Sequence, residues 1–244
     1  MKKDKKIFLK ELKAGLSKKN KMIPSKFHYY LLGSKYFEKI TQQKEYYPTR
    51  KEKEILRKLS KTISALFKGN LSFVEIGSGA TDKIKILLNK NIKFYIPLDI
   101  SLDFVKKSVL KLKKKYPKLK VKPIKIDYSK PFKIPNFKRT TKICFFLGSS
   151  IGNFHKKEEI KFLKNIRKSI GKNNYLFIGV DLIKNKKIIE KAYNDKKGYT
   201  AKFSLNLINI INKSFNTGLN IKNFYYKGKF NSRLKCVQGF IVSK

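Results

Sequence analysis

Tryptophan is absent from this 244-residue chain, and cysteine, histidine and acidic residues are scarce. The two cysteines, Cys144 and Cys236, lie far apart, and neither belongs to a C-x-x-C or a Cys/His cluster. That fits a reducing cytoplasm without a structural metal. No apolar run approaches the roughly 20 residues that cross a bilayer. The basic N-terminus, "MKKDKKIFLKELKAG", has an apolar segment too short and too interrupted by Lys to predict a signal peptide. Acids number 16 against 60 Lys and Arg, giving a formal net charge of +44. Such a charge invites a nucleic-acid reading. Arginine supplies the bidentate and stacked contacts that read nucleic acids, yet it occurs only at Arg50, Arg57, Arg139, Arg167 and Arg233. Lys is spread evenly beside abundant Ile and Asn, all with A/T-rich codons, so genome bias accounts for the charge without a specific nucleic-acid partner. Adhesion to anions at low salt is still expected.

What is present is enough for a core: 41% apolar residues, 13% aromatic, over a length that suits one domain or one with a smaller appendage. Residues 1–70 read as helical, with a Pro48 turn and a capping box, Thr49 to Glu52, opening a second helix. The period then changes. "LSFVEI" (71–76), "KFYIPLDI" (93–100), "VKPIKIDY" (121–128), "KICFFLG" (142–148) and "NYLFIGVDL" (174–182) read as strands. "TDKIKILLNK", "SLDFVKKSVLKLKKKY" and "KKEEIKFLKNIRKSI" read as the helices between them. Alternation of this kind predicts an α/β fold, a parallel sheet with helices on both faces. Beyond residue 185 come further helix and a closing hairpin or meander.

Because Lys supplies nearly all the solvating charge, acids that end strands stand out: Glu75, Asp99, Asp127 and Asp181. The strand-turn stretch "FVEIGSGATDK" departs from the dinucleotide fingerprint, having Asp82 in place of the third glycine. Glu75 just before the turn would repel a pyrophosphate. S-adenosylmethionine suits the loop better, having no phosphate but an ammonium and a sulfonium. Gly77, Ser78 and Gly79 let backbone approach the ligand. Asp99, 22 residues after Gly77, stands where an acid holds ribose hydroxyls, and Asp127 with Tyr128 where adenine would lie. Plainer roles fit the same residues: a tight turn for the glycines, a helix cap for Asp99, a turn acid at Asp127.

"EYYPTR", "FVEIGSGATDK", "YIPLDIS", "FFLGSSIGNF", "GVDLIKN", "KAYND" and "GYTAKFSLNLINIIN" occur in this order. Together they resemble the histidine-specific Nα-methyltransferases of ergothioneine biosynthesis, which use S-adenosylmethionine to trimethylate the α-amino group of histidine. The resemblance implies a Rossmann-like class I methyltransferase core over 61–185, with a substrate-binding domain contributed by 1–60 and 186–244. It matches Gly77, Lys83, Asp99, Asp127 and Tyr128 to cofactor contacts, and Tyr29, Tyr46, Asn153 and Tyr193 to the amino-acid substrate. It implies no metal and no catalytic residue beyond these contacts. His155 reads as a solvated residue at a helix start.

The family pattern continues past "CVQGFIVSK", with imidazole-reading residues and the last strands of a seven-stranded sheet, and Gly239 stands where the family has Met. The 174–182 strand is then expected at a sheet edge, covered by another copy or a partner chain. Alternatives to histidine methylation are another small amine as acceptor, an inactive cofactor-binding remnant, and a basic RNA-associated protein.

Overall fold

A strand with no polar alternation is stable only when both of its faces are covered. Residues 71–76 meet that condition: each is buried in the computed structural model, which describes residues 2–30, 32–135, 137 and 139–244. The chain opens with α1 (Lys2–Leu16), α2 (Gly33–Thr41) and α3 (Tyr47–Leu66). Next come β1 (Leu71–Ile76), β2 (Ile92–Asp99), α4 (Leu102–Lys115), β3 (Lys120–Val121), β4 (Ile124–Lys125), β5 (Thr141–Phe146), α5 (Lys156–Ile170) and β6 (Tyr175–Ile178). It closes with α6 (Lys186–Ala192), α7 (Tyr199–Phe215), β7 (Phe224–Asn231) and β8 (Cys236–Ser243). These elements form two compact units, Tyr46–Lys184 and the pair Met1–Glu45 with Asn185–Lys244.

The Tyr46–Lys184 unit is built on a parallel sheet of order β3-β2-β1-β5-β6, with β4 also paired to β2. Phe73, Tyr95, Ile143 and Phe145 pack on one face with Leu56 and Ile63 of α3. Val74, Ile76, Ile96, Leu98 and Phe146 pack on the other with Phe162, Ile166 and Ile170 of α5. The i, i+4, i+8 spacing of those three α5 residues is a helical stripe, and it is the stripe that is buried. This is the expected α/β architecture.

Three of the expected elements differ. The stretch 81–90 is not a helix; it holds a single 3-10 turn, Ile84–Ile86. Thr81 stands at φ 59° on one side of it, and on the other Asn89 takes the Asn91 N–H at 2.9 Å in an Asx turn, a local bond that competes with helix. The 121–128 strand splits into β3 and β4 around Pro123, which has no N–H for the ladder. The last strand stops at Ile178 instead of reaching 182, and forms the outer edge of the sheet among the described residues.

In the other unit, Phe8 and Leu12 of α1 pack with Phe27 against Leu207, Ile210 and Ile211 of α7. The closing segment is the antiparallel β7–β8 hairpin, with Gly228 opposite Gly239. Among the described residues no helix is long and apolar enough to cross a membrane.

Phe145 is fully buried and contacts Phe73 and Phe177 at ring separations of 5.0 and 5.4 Å. Phe145→Ala should cost about 3–5 kcal/mol, read as a lower midpoint in urea unfolding with an unchanged m-value.

Candidate functional site

A strand buried from end to end leaves only its carboxyl end open for chemistry, and the glycine loop lies there. Gly77 (φ 69°), Gly79 (φ 51°) and Thr81 (φ 59°) all take left-handed backbone. For a buried β-branched residue such as Thr81 that conformation is strained, a state kept where surrounding structure imposes it. The Gly77 N–H donates to Leu98 O at 2.7 Å. The Gly79 N–H donates to Asp99 Oδ2 at 3.0 Å, and the Ser101 N–H to Asp99 Oδ1 at 2.8 Å. Asp99 thus ties the β1 loop to the end of β2, and a carboxylate with about four acceptor sites keeps capacity for a ligand hydroxyl beyond these backbone donors. Burial raises its pKa. Nothing lies within 4 Å of a Cβ built on Gly79. Thr81 Oγ1 is buried without a hydrogen-bond partner among the described residues, while the Ser78 hydroxyl is directed to Tyr95. The open space at Gly79 leaves room for a ligand to approach the loop backbone.

Asp127 behaves first as a turn acid: Oδ1 accepts the Ser129 N–H at 3.1 Å and its hydroxyl at 2.5 Å, and Oδ2 lies 3.7 Å from Lys130 Nζ. Tyr128 stands against Phe146 and Phe154 at ring separations of 5.5 and 6.0 Å, and burial pushes its phenol pKa up. A Cβ on Gly77 would lie 3.7 Å from the Tyr128 ring, so these two predicted residues share one place. Asn153 ends the 3-10 turn Ser150–Asn153 beyond β5 and is exposed. Tyr46 precedes α3 and is buried. His155 flanks the start of α5, exposed, as expected. Tyr29 and Tyr193 belong to the other unit. Tyr29 meets Phe37 and Phe203 edge-on, and the Tyr193 carbonyl accepts the Tyr226 hydroxyl at 3.1 Å.

Four features were not legible in the residue pattern. Glu52 is not half of a capping box. The helix starts earlier, at Tyr47, and the Glu52 carboxylate reaches beyond the strand ends, where Oε1 accepts the Gly148 N–H at 2.7 Å and Oε2 pairs with Lys83 Nζ at 2.5 Å. A Cβ on Gly179 would sit 2.0 Å from Glu52 Oε1, so only glycine admits this approach. Glu75 is not a bare anion facing the turn. It is 3% exposed and accepts the Tyr95 hydroxyl, and desolvation raises its pKa to about 8. Asp181 accepts the Tyr47 hydroxyl and the Lys184 ammonium, each at 2.5 Å, while its own N–H donates to Ser149 Oγ at 2.9 Å. In the hairpin, the Tyr226 ring covers the cross-strand glycines: a Cβ on Gly239 would lie 3.1 Å from it. Among the described residues no three of His, Cys, Asp and Glu gather as a metal site would require.

Residues 8–244 match the family model of the histidine-specific, S-adenosylmethionine-dependent methyltransferases. The chain belongs to that family. The match runs through both units and all the site residues named above. Relatives include the histidine N-alpha-methyltransferase of Mycolicibacterium smegmatis, 31% identical over 229 residues that span 91% of this chain and 70% of that protein. Ergothioneine biosynthesis protein 1 of Neurospora crassa is 31% identical over 195 residues, 76% of this chain and 22% of that protein. A shorter match, 34% over 93 residues, joins 36% of this chain to 27% of the 4-dimethylallyltryptophan N-methyltransferase of Epichloe festucae. The chain is therefore a methyltransferase that depends on S-adenosylmethionine. The open loop, the buried Thr81 hydroxyl and the Asp99 bracket fit that cofactor.

Glu75 predicts a pH dependence. Its pKa rises from the ordinary 4.5 to about 8 on folding, so the folded state keeps a proton that the unfolded chain has lost. Its contribution to stability is full below about 4.5 and is lost as pH rises through about 8. Urea unfolding at several pH values across that window should show declining stability, and Glu75→Gln should flatten the decline. A second expectation concerns Gly179→Ala, which should destabilise by about 1–3 kcal/mol through the collision with Glu52, seen as a lower melting temperature.

Proposed function

We propose that this chain methylates the α-amino group of L-histidine, taking the methyl from S-adenosylmethionine. The observation that carries the reading is the match to a histidine-specific family over residues 8–244. We assign the cofactor to Gly77, Ser78, Gly79, Lys83, Asp99, Asp127 and Tyr128. Asp99 accepts the ribose hydroxyls, and Tyr128 with Asp127 borders the adenine. The amino acid is assigned to Tyr29, Tyr46, Asn153 and Tyr193.

S-adenosylmethionine supplies an electrophilic methyl on a sulfonium. Held in line behind that methyl, an amine would take it through its lone pair as the C–S bond broke, with the C–S electrons left on sulfur. Holding a neutral amine in line supplies most of the acceleration, so no strong base is required. The proton of the new ammonium leaves to water or through a tyrosine hydroxyl. Asn153 suits the substrate because its amide both donates and accepts, to the carboxylate and from the amine. Aromatic faces favour the cation that develops.

A second acceptor has support from one residue. Tyr226 covers Gly239, so the place of a larger side chain is taken by the tyrosine ring. Another small amine is the acceptor if that exchange has removed an imidazole contact. The same reading has the protein work in the cytoplasm, with the outer edge of β6 covered by a second copy or a partner chain.

Mass spectrometry of histidine incubated with the chain and methyl-labelled cofactor should show labelled methylhistidines. Cofactor binding without labelled histidine would move the acceptor to another amine. Asp99→Ala should weaken cofactor binding by about 1–3 kcal/mol in calorimetry. Asn153→Ala should leave that binding intact and reduce turnover.

A further inference from the structure

Lys83 poses an electrostatic problem for a cofactor that carries two cations. The lysine attracts the carboxylate of such a ligand but repels its ammonium and sulfonium. Some anion must offset it. Glu75 is poorly suited, since it is enclosed with Tyr95 and holds a proton to about pH 8. Asp99 organises the Gly79 and Ser101 N–H groups and is assigned to the ribose hydroxyls, whereas the Lys83 ammonium is met by another acid. Glu52 is placed differently. It descends from α3 onto the strand ends, pairs with Lys83 Nζ at 2.5 Å, and is fixed by the Gly148 N–H at 2.7 Å. The bare backbone of Gly179 makes room for it. The pair is largely shielded, the Glu52 side chain being 14% exposed and that of Lys83 22%, so its charges act through a weaker dielectric than water.

We propose that Glu52 sets the charge balance of the cofactor site, so that the site holds the sulfonium of S-adenosylmethionine in preference to the neutral thioether of S-adenosylhomocysteine. The two ligands differ by one methyl and one positive charge. With Glu52 ionised, the Lys83 charge is cancelled and the sulfonium enters without repulsion. Glu52 is in this sense a positioning and charge-setting residue, acting through Lys83. The inference rests on the function proposed above, with Lys83 at the cofactor.

The test is calorimetric titration of both ligands into the wild-type chain, Glu52→Gln and Lys83→Met. Glutamine keeps an acceptor for the Gly148 N–H and removes only the charge. Glu52→Gln should therefore lose affinity for S-adenosylmethionine by roughly tenfold more than for S-adenosylhomocysteine, the order that one unit charge makes across a partly buried site. Lys83→Met should move the ratio the other way. Equal losses for both ligands in Glu52→Gln would make Glu52 a mere anchor for Gly148 and overturn the proposal. Should Glu52→Gln fail to fold by circular dichroism, the Lys83→Met ratio decides alone: a shift toward S-adenosylmethionine supports the idea, and an unchanged ratio sinks it. A wild-type chain that binds neither ligand would instead remove the cofactor assignment beneath it.

Discussion

Burial of β1 on both faces is the constraint on which the rest of the Tyr46–Lys184 unit depends. Paired with β2 on one side and β5 on the other, the strand has no exposed face to decorate. Polar groups that must meet a ligand are therefore pushed past its carboxyl end, into the turn that begins at Gly77. The same rule applies to its neighbours, where Asp99 closes β2 and the Gly148 turn follows β5. Parallel pairing brings these ends to one edge of the sheet, which is why open parallel sheets bind ligands there. Strain collects at that edge too, with Thr81 and Ser149 both in left-handed backbone.

Charge at the edge is handled by a few acids in a chain dominated by lysine. Glu75 is kept by desolvation as a hydrogen-bonding partner of Tyr95. Asp99 spends its charge organising backbone amides. Glu52 meets the lysine directly. Carboxylates thus fill three electrostatic roles, distinguished by how much water reaches them and by which donors face them. The overall charge of +44 has little part in this, because most of the described lysines are exposed to solvent and screened.

Much of the architecture was legible because it rests on burial and periodicity. The buried strands announced themselves through apolar runs, and α5 through Phe162, Ile166 and Ile170. Where reading failed, a local hydrogen bond or a backbone restriction outweighed the pattern. The 81–90 helix gave way to the Asn89 turn and the Thr81 conformation. Pro123 cut one strand in two. Of the candidate site, the glycine loop and the Asp99 that closes β2 were readable as local structure because each lies beside its own motif. Glu52, near "YYPTR", looked like a cap because its true partners, Lys83 and Gly148, are distant in sequence.

The order of residues by itself determined the α/β class, the glycine loop, the aspartate that ends β2 and membership of a methyltransferase family, while Asp127 and Asp181 fell beyond strands that stop at Lys125 and Ile178. These follow from period, turn chemistry and motif, which are properties of neighbours along the chain. Only the tertiary structure decided which acid meets which base. Lys83 is 31 residues from Glu52 and Gly179 is 127, separations over which no local rule operates, and parallel pairing of β5 with β1 and β6 brings those ends together. The protonation of Glu75 was decided in the same way. A glutamate has no raised pKa of its own; it acquires one when folding takes away its water.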